Sequence, residues 1–426
     1  MKPGEQSGLF ARVDGATNDL VAFTQALVRI PTTNPPGENY TPCAELLGDR
    51  LKASGFEVEY IRAEGTPGDT DRFPRINVIG RREGSGPGPC VHFNSHIDVV
   101  LAGQGWTMDP FGAEVRDGRV YGRGTCDMKG GLAASVIAAE AFIAQFPDFP
   151  GAIEISGTVD EESGGYGGVA YLAEKGFFSK PRVDHVIIPE PLNKDRVCLG
   201  HRGHWSARIE THGRIAHGSM PFLGDCAVRH MGAVLDAFEK ELFPKLASKF
   251  TCMPVVPEGA KQSTMNINSI HGGEEESHEG LPAHNVPDSC RVTIDRRYLI
   301  EETLDEVQGE VTGLLDRLQR ERPNFSYDIS DINQIDPLMT DEGAPVPQAL
   351  RSAVQDVLGV TPEWVISPGS YDQKHIARLG HLTDCVAYGP GILDLAHQPD
   401  EYVEIADMVD SAKVMALALH RLLFAQ

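Results

Sequence analysis

The chain predicts an α/β fold: a mostly parallel sheet flanked by helices, with a smaller α+β domain inserted into it. Three observations predict this. Short apolar strands alternate with helix-length segments through the first half of the 426 residues. Near 202 the order changes to strand–helix–strand–strand–helix–strand, and beyond 334 the strand–helix alternation returns. Residues 1–201 and 334–426 are therefore expected to form one domain in two pieces, around an inserted domain at 202–333.

Taken in order, apolar residues recur at helical spacing over 17–29 (Leu20, Phe23, Leu27) and stop at Pro31-Thr-Thr-Asn-Pro-Pro-Gly37. A helix over 42–54 precedes strands at 56–62 and 75–80. The run 89–100 reads as a buried strand, and 130–144 as a long helix of small residues. Strands at 153–159 and 185–189 flank a helix at 167–175. In the insert, strands at 205–211, 264–271, 288–298 and 325–330 and helices at 225–240 and 304–320 make a βαββαβ unit, an open sheet with two helices on one side. The last segment holds helices at 348–358 and 372–378 with a strand between them, a further strand at 384–388 and a helix from 406.

Acidic residues outnumber Lys and Arg 61 to 38, a net charge of −23. Such a surface repels phosphate backbones and anionic lipid, which argues against nucleic-acid and membrane partners. Eight cysteines stand singly with no CxxC, the pattern of free thiols in a reducing compartment. No signal-like apolar run opens the chain and no stretch approaches a membrane span, so a cytoplasmic location is expected.

Five stretches carry chemistry. In His92-Phe-Asn-Ser-His96-Ile-Asp98, His96 and Asp98 share a strand face, where an Asp commonly orients a metal-binding His; a satisfied core histidine is the competing reading. Gly122-Arg-Gly-Thr-Cys-Asp127-Met-Lys-Gly-Gly131 is a glycine-rich turn into a helix, without the spacing of a phosphate loop. It projects Asp127 into a cleft or caps the helix with it. Thr158-Val-Asp-Glu161-Glu162 puts adjacent carboxylates after a buried strand, one to ligate metal and one to act as general base. Glu190 repeats the logic at the tip of the next strand, and His397 lies in a loop after a late strand. Asp127, Glu162 and Glu190 bring −3 and one hydroxide a fourth negative charge, which two divalent cations balance. Mixed imidazole and carboxylate ligands suit zinc better than magnesium or calcium.

These motifs, with Ile30-Pro-Thr-Thr-Asn-Pro-Pro-Gly37 and Ser95-His-Ile-Asp-Val-Val100, run in order over nearly the whole chain. As a set the chain resembles the dinuclear zinc deacylase and peptidase family of acetylornithine deacetylase, succinyl-diaminopimelate desuccinylase, aminoacylase and glutamate carboxypeptidase. The resemblance implies a zinc-peptidase-like catalytic domain and an inserted lid that also dimerises. It assigns His96 and Glu190 to one zinc, Glu162 and His397 to the other, and Asp127 as the bridge, followed by a cis peptide. Glu161 becomes the general base and Asp98 the partner of His96. The segment His212-Gly-Arg-Ile-Ala-His217 looks like the family's lid motif, whose histidine reaches the partner subunit's site and stabilises the oxyanion. Asn285, Arg297 and Ser370 fall where the family grips its substrate, with an ordinary strand-end ion pair as the competing reading of Arg297. Where deacylases often show Ser-Asp-x-Arg, this chain has Tyr371-Asp-Gln-Lys374, and a lysine grips a carboxylate less rigidly than an arginine.

The function so implied is hydrolysis of the amide of an N-acylated amino acid, by a homodimer with two zinc ions per subunit and His217 acting in trans. Cobalt or manganese suit the same ligands. A carboxypeptidase or dipeptidase acting on short peptides is the alternative within the family, and a metal-binding protein without catalysis the alternative outside it.

Overall fold

A computed structural model describes residues 1–273 and 284–425, which divide into two compact units. The first comprises Met1–Gly200, Thr340–Val365 and Tyr371–Gln426; the second comprises His201–Met339 and Ile366–Ser370.

The first unit is built on a mixed sheet whose middle is parallel. Strand Cys90–His96 lies between Ala152–Thr158 and His185–Ile188, parallel to both, and Cys385–Ala387 continues the parallel run beyond His185–Ile188. Antiparallel strands extend it on either side: Ile76–Glu83 and then Glu57–Arg62 beyond Ala152–Thr158, and Arg196–His201 beyond Cys385–Ala387. The central strands are buried along their whole length, as expected when helices cover both faces. Helix Tyr40–Ala53 packs on Ile76–Glu83 and Glu57–Arg62, whereas helix Gly130–Gln145 packs on Cys90–His96 and Ala152–Thr158 and is sandwiched by Ile405–Leu423. Its small residues permit that burial on every side: Ala133, Ala134, Ala138 and Ala139 are all fully buried.

Several elements differ from the sequence-based expectation, each for a local reason. The N-terminal residues form a helix, Pro3–Gly15, where none is expected. It opens with proline in its first turn and buries Leu9 and Val13 against Gly130–Gln145 and Ile405–Leu423. The strand expected to reach residue 100 leaves the sheet after His96. Beyond it, Val99 bonds through its N–H to Thr32 and through its carbonyl to Asn34. The helix expected at 167–175 is broken at Gly168 (φ −105°, ψ −115°), and only Tyr171–Glu174 is α-helical. A small three-stranded sheet, Glu114–Arg116, Arg119–Tyr121 and Tyr402–Glu404, has no strong alternation in the sequence to announce it.

The second unit is a four-stranded antiparallel sheet in the order Thr264–Gly272, Ser289–Tyr298, Gly203–His212, Ser326–Ile335. Alternate residues Trp205, Ala207 and Ile209 meet Met231 and Val234 of helix Ala227–Ala237 and Val307, Val311 and Leu315 of helix Leu304–Glu321 in one core. The second helix starts on a capping box, with Thr303 Oγ1 accepting from the Glu306 N–H and Glu306 returning to the Thr303 N–H. Strand Ser326–Ile335 outruns the expected 325–330, carried past an irregularity between Asp331 and Asn333.

All eight cysteines are unpaired; Cys43, Cys90, Cys126, Cys198, Cys290 and Cys385 are buried. Among the described residues no helix is long and apolar enough to cross a membrane.

One close approach ties the fold to the strand ends. A Cβ on Gly131 would lie 2.0 Å from the Pro189 carbonyl oxygen, so only glycine lets the start of helix Gly130–Gln145 sit against the residue before Glu190. Gly131→Ala is therefore expected to destabilise the protein by about 1–3 kcal/mol, as overpacked sites do. Denaturant unfolding checks this, and an unchanged midpoint would show that the contact has slack.

Candidate metal centre

The three parallel strands of the sheet's middle deliver acids and imidazoles to one edge. His96 is the last residue of its strand, Glu161 and Glu162 follow Ala152–Thr158 by a few residues, and Glu190 follows His185–Ile188. Carboxyl ends of parallel strands are where such folds hold ligands, because the chain turns there and leaves side chains unpaired. Two groups of three ligand atoms result, each with its atoms within 4.8 Å of one another: His96, Asp127 and Glu190, and Asp127, Glu162 and His397. Asp127 belongs to both. Its Oδ1 lies 3.0 Å from His96 Nε2 and its Oδ2 lies 3.5 Å from His397 Nε2. His96 Nε2 is 3.9 Å from Glu190, and His397 Nε2 is 3.1 Å from Glu162.

The His96 ring is fixed from behind. His96 Nδ1 donates to the backbone carbonyl of Asp98 at 2.9 Å, which turns the Nε2 lone pair toward Asp127 and Glu190. The Asp98 carboxylate is farther, at 3.6 Å, and does something else. It accepts the backbone N–H groups of Glu161 and Glu162, each at 3.2 Å, and the Asn34 amide at 3.0 Å. Asp98 thus orients His96 through its carbonyl and holds the two-glutamate turn through its side chain. Asn34, in the Pro-rich stretch before helix Tyr40–Ala53, also donates to Ser163 at 2.8 Å.

Asp127 is presented by a loop that a second buried carboxylate organises. Glu401 Oε1 accepts the backbone N–H groups of Gly124, Cys126 and Asp127 at 3.0, 2.8 and 3.2 Å, while Oε2 pairs with Arg123 at 2.5 Å. Gly124 takes a positive φ of 87°, as this concave loop requires, and the Asp127–Met128 peptide is cis. Neither Glu401 nor Arg123 is singled out by sequence reasoning, since their partners lie some 275 residues away.

The electrostatics describe a demand for positive charge. Burial pushes Glu190 well above the usual carboxylate range, and Asp127 adds to it. Glu162 is pushed up to about 7 by burial, against the pull of His397. Burial presses the His96 imidazole toward neutrality, yet Asp127, Glu190 and Asp98 outweigh it and raise its pKa well above the ordinary value. Hydrogen bonds to Asp127 and Glu162 raise His397 to about 10. Three carboxylates converging here bind protons on themselves and on the rings unless cations replace those protons. The oxygen and nitrogen donors, and their grouping around one shared aspartate, fit two divalent cations.

Glu161 lies outside both groups. Its Oε1 accepts from Lys374 Nζ at 3.1 Å, and both side chains are nearly buried. Burial works against the Lys374 ammonium, but Glu161, Asp372 and Glu190 together raise its pKa. The lysine expected to meet a substrate carboxylate thus already has a carboxylate partner.

The other expected residues belong to the second unit. His217 is exposed and accepts at Nδ1 from the Ser219 N–H at 3.1 Å, which leaves Nε2 as the protonated nitrogen. Asn285 bridges to it through the backbone. Arg297 makes a two-pronged pair with Asp295, at 2.7 and 3.0 Å, so the strand-end ion pair is present. Ser370 is half-buried in the short return segment Ile366–Ser370. Nearby, the buried Arg202 donates to the carbonyls of Pro368, Ala260 and Gln262 and has no carboxylate partner among the described residues. Burial, with Arg297 and Arg296, lowers its pKa to about 10.

Comparison with known proteins agrees with this geometry. Residues 92–421 match the model of the peptidase family M20/M25/M40. The chain is 32% identical over 415 residues to a succinyl-diaminopimelate desuccinylase of Nitrosospira multiformis, covering 95% of this chain and 99% of that one. It is 29% identical over 414 residues to a desuccinylase of the same name from Xanthomonas campestris, covering 96% and 100%. Among solved structures, human carnosine dipeptidase 1 superposes with a TM-score of 0.75 at 18% identity over 99% of each chain. A family M20 metallo-carboxypeptidase from Sulfolobus solfataricus gives 0.74, also at 18% identity, over 95% of this chain and 98% of that one. With the family's model matched over most of its length and its ligand groups assembled at the strand ends, the chain belongs to the peptidase family M20/M25/M40 and is a metal-dependent amide hydrolase.

Proposed function

We propose that the protein hydrolyses the amide bond of an N-acylated amino acid, with zinc at the paired ligand groups and Glu161 as general base. The observation that carries this reading is the position of Glu161: beside the ligand Glu162, outside both metal groups, with a carboxylate not consumed by ligation. The relatives named as desuccinylases, similar over almost their whole length, favour a deacylase with an acidic substrate. The structural likeness to a dipeptidase and a carboxypeptidase keeps peptide cleavage as the second reading.

His96, Asp127, Glu162, Glu190 and His397 would hold two divalent cations, whose chemistry there would be to acidify a water molecule and polarise the scissile carbonyl. Glu161 accepts the proton of the attacking water and later delivers it to the leaving nitrogen, so no net proton is lost. His217, with Nδ1 occupied by Ser219, offers an Nε2–H to the oxyanion that develops at the carbonyl. Asn285, Arg297 and Ser370 bind the substrate's polar groups, and Asp98 and Glu401 hold the turns that carry the ligands. The family resemblance makes the active species a homodimer, with the histidine crossing to the partner's site. Eight unpaired cysteines suit a cytoplasmic home.

Three outcomes are expected. Glu161→Gln retains metal and loses roughly 10²–10⁴-fold in kcat, the range of a lost general base; turnover near wild type on a panel of N-succinyl, N-acetyl, N-formyl and dipeptide substrates would sink the assignment, and the same panel separates deacylase from peptidase. Mixing inactive His217→Ala and inactive Glu161→Gln chains restores activity after subunit exchange, because a heterodimer then holds one intact site; no recovery despite demonstrated exchange excludes action in trans. Glu401→Gln weakens metal affinity by about 10–100-fold, as loss of a ligand's supporting partner does; titration of the metal-free protein with zinc measures it, and an unchanged affinity would show that the Asp127 loop holds its shape without that carboxylate.

A further inference from the structure

The segment from Tyr371 to His375 grips the turn that carries Glu161 at several points. Lys374 Nζ donates to Glu161 Oε1 at 3.1 Å, with the lysine side chain 5% exposed. His375 Nε2 lies 2.7 Å from the Gly164 carbonyl oxygen, two residues past Glu162. Asp372 Oδ2 accepts from Asn94 at 3.0 Å and lies 3.5 Å from Thr158 Oγ1, at the end of the strand that leads into the turn. Gln373 anchors the segment itself, donating to the carbonyls of Leu199 and Cys385 and to Thr340 Oγ1. The ammonium therefore comes from a backbone that the core holds still, and it reaches one oxygen of Glu161.

Resting on the reading of Glu161 as general base, we propose that Lys374 is the positioning residue for that base, engaging Oε1 so that Oε2 is the oxygen left to take the proton of the attacking water. A glutamate has three side-chain torsions, and an unheld carboxylate beside two cations is drawn toward them and out of line with the water. The lysine supplies a competing pull, holding Oε1 at 3.1 Å. A compact ammonium suits this role, because it binds one carboxylate oxygen, whereas a guanidinium fork tends to take both. The departure from the Ser-Asp-x-Arg pattern thereby gains a physical meaning: in this chain the cation at 374 serves the base.

The test uses the full-length, metal-loaded protein and its best substrate from the acyl amino acid panel. It compares Lys374→Met, Lys374→Arg, Glu161→Gln and the Glu161→Gln/Lys374→Met double variant, with metal content measured on each. Lys374→Met is expected to lower kcat on the order of 10–100-fold, the cost of a misplaced catalytic group, with KM within about twofold and metal content unchanged. Lys374→Arg, which keeps the charge but tends to take both oxygens, recovers only part of the loss, and Lys374→Met adds nothing once Glu161 is Gln. Wild-type kcat in Lys374→Met overturns the proposal. So does a raised KM at unchanged kcat, which would make Lys374 a substrate grip, or a full further loss in the Glu161→Gln background. Loss of metal or of fold in both lysine variants also overturns it, in favour of a structural role. Full activity of Glu161→Gln is a separate result: it removes the base reading itself, whatever Lys374 does.

Discussion

The structure depends on crowding negative charge at the ends of a parallel sheet. Asp127, Glu162 and Glu190 converge with two imidazoles in a space where burial already disfavours their ionised forms. Left to protons alone, the cluster shifts Glu162 and Glu190 upward and charges His96 and His397. Divalent cations resolve the same conflict at fixed geometry, which is why the arrangement is tolerable in the folded protein. The strand ends make the convergence cheap, since the sheet is already satisfied by its ladders and the ligands ride on the turns just beyond them.

Those turns are irregular, and other buried carboxylates give them their shape. Asp98 collects the N–H groups of Glu161 and Glu162; Glu401 collects those of Gly124, Cys126 and Asp127. Each acts as a surrogate for the secondary structure that the loop lacks, accepting backbone donors that would otherwise be buried unpaired. Glu401 shares its other oxygen with the buried Arg123, and removing one member of such a pair typically costs about 3–5 kcal/mol. The acids of this protein thus fall into two kinds at its centre. Some converge in the groups that fit cations, and others face the backbone that carries the first.

This division explains what the sequence discloses. His96, Glu162 and Glu190 stand out in the sequence because each ends or follows a buried apolar run, and Asp127 because a glycine-rich turn leads through it into a helix. The inserted sheet is legible too, since Trp205, Ala207 and Ile209 alternate and Val307, Val311 and Leu315 recur at helical spacing. What supports them is only partly legible. Asp98 and Lys374 stand in motifs, but the motif around Lys374 does not name its partner 213 positions away, and no local pattern marks Glu401, which acts on residues 275 positions away. The helix Pro3–Gly15 escaped for a related reason: its burial of Leu9 and Val13 relies on helices contributed from residues 130–145 and 405–423. The break at Gly168 is a packing effect, where a Cβ would lie 2.0 Å from the Val159 carbonyl oxygen.

The same reasoning separates the two adjacent glutamates, which composition alone cannot tell apart. Both backbone N–H groups are held by Asp98, so the turn fixes their Cα positions equally. Their side chains then meet different partners: Glu162 meets His397, and Glu161 meets Lys374. An imidazole that shares Asp127 meets Glu162 within the ligand group, whereas an ammonium from a well-anchored segment engages Glu161. Two identical side chains, one residue apart, are sorted by which group each one faces, an imidazole for Glu162 and an ammonium for Glu161. On the reading of Glu161 as the base, its ion pair with Lys374 is what keeps that carboxylate from becoming a further ligand on the same turn.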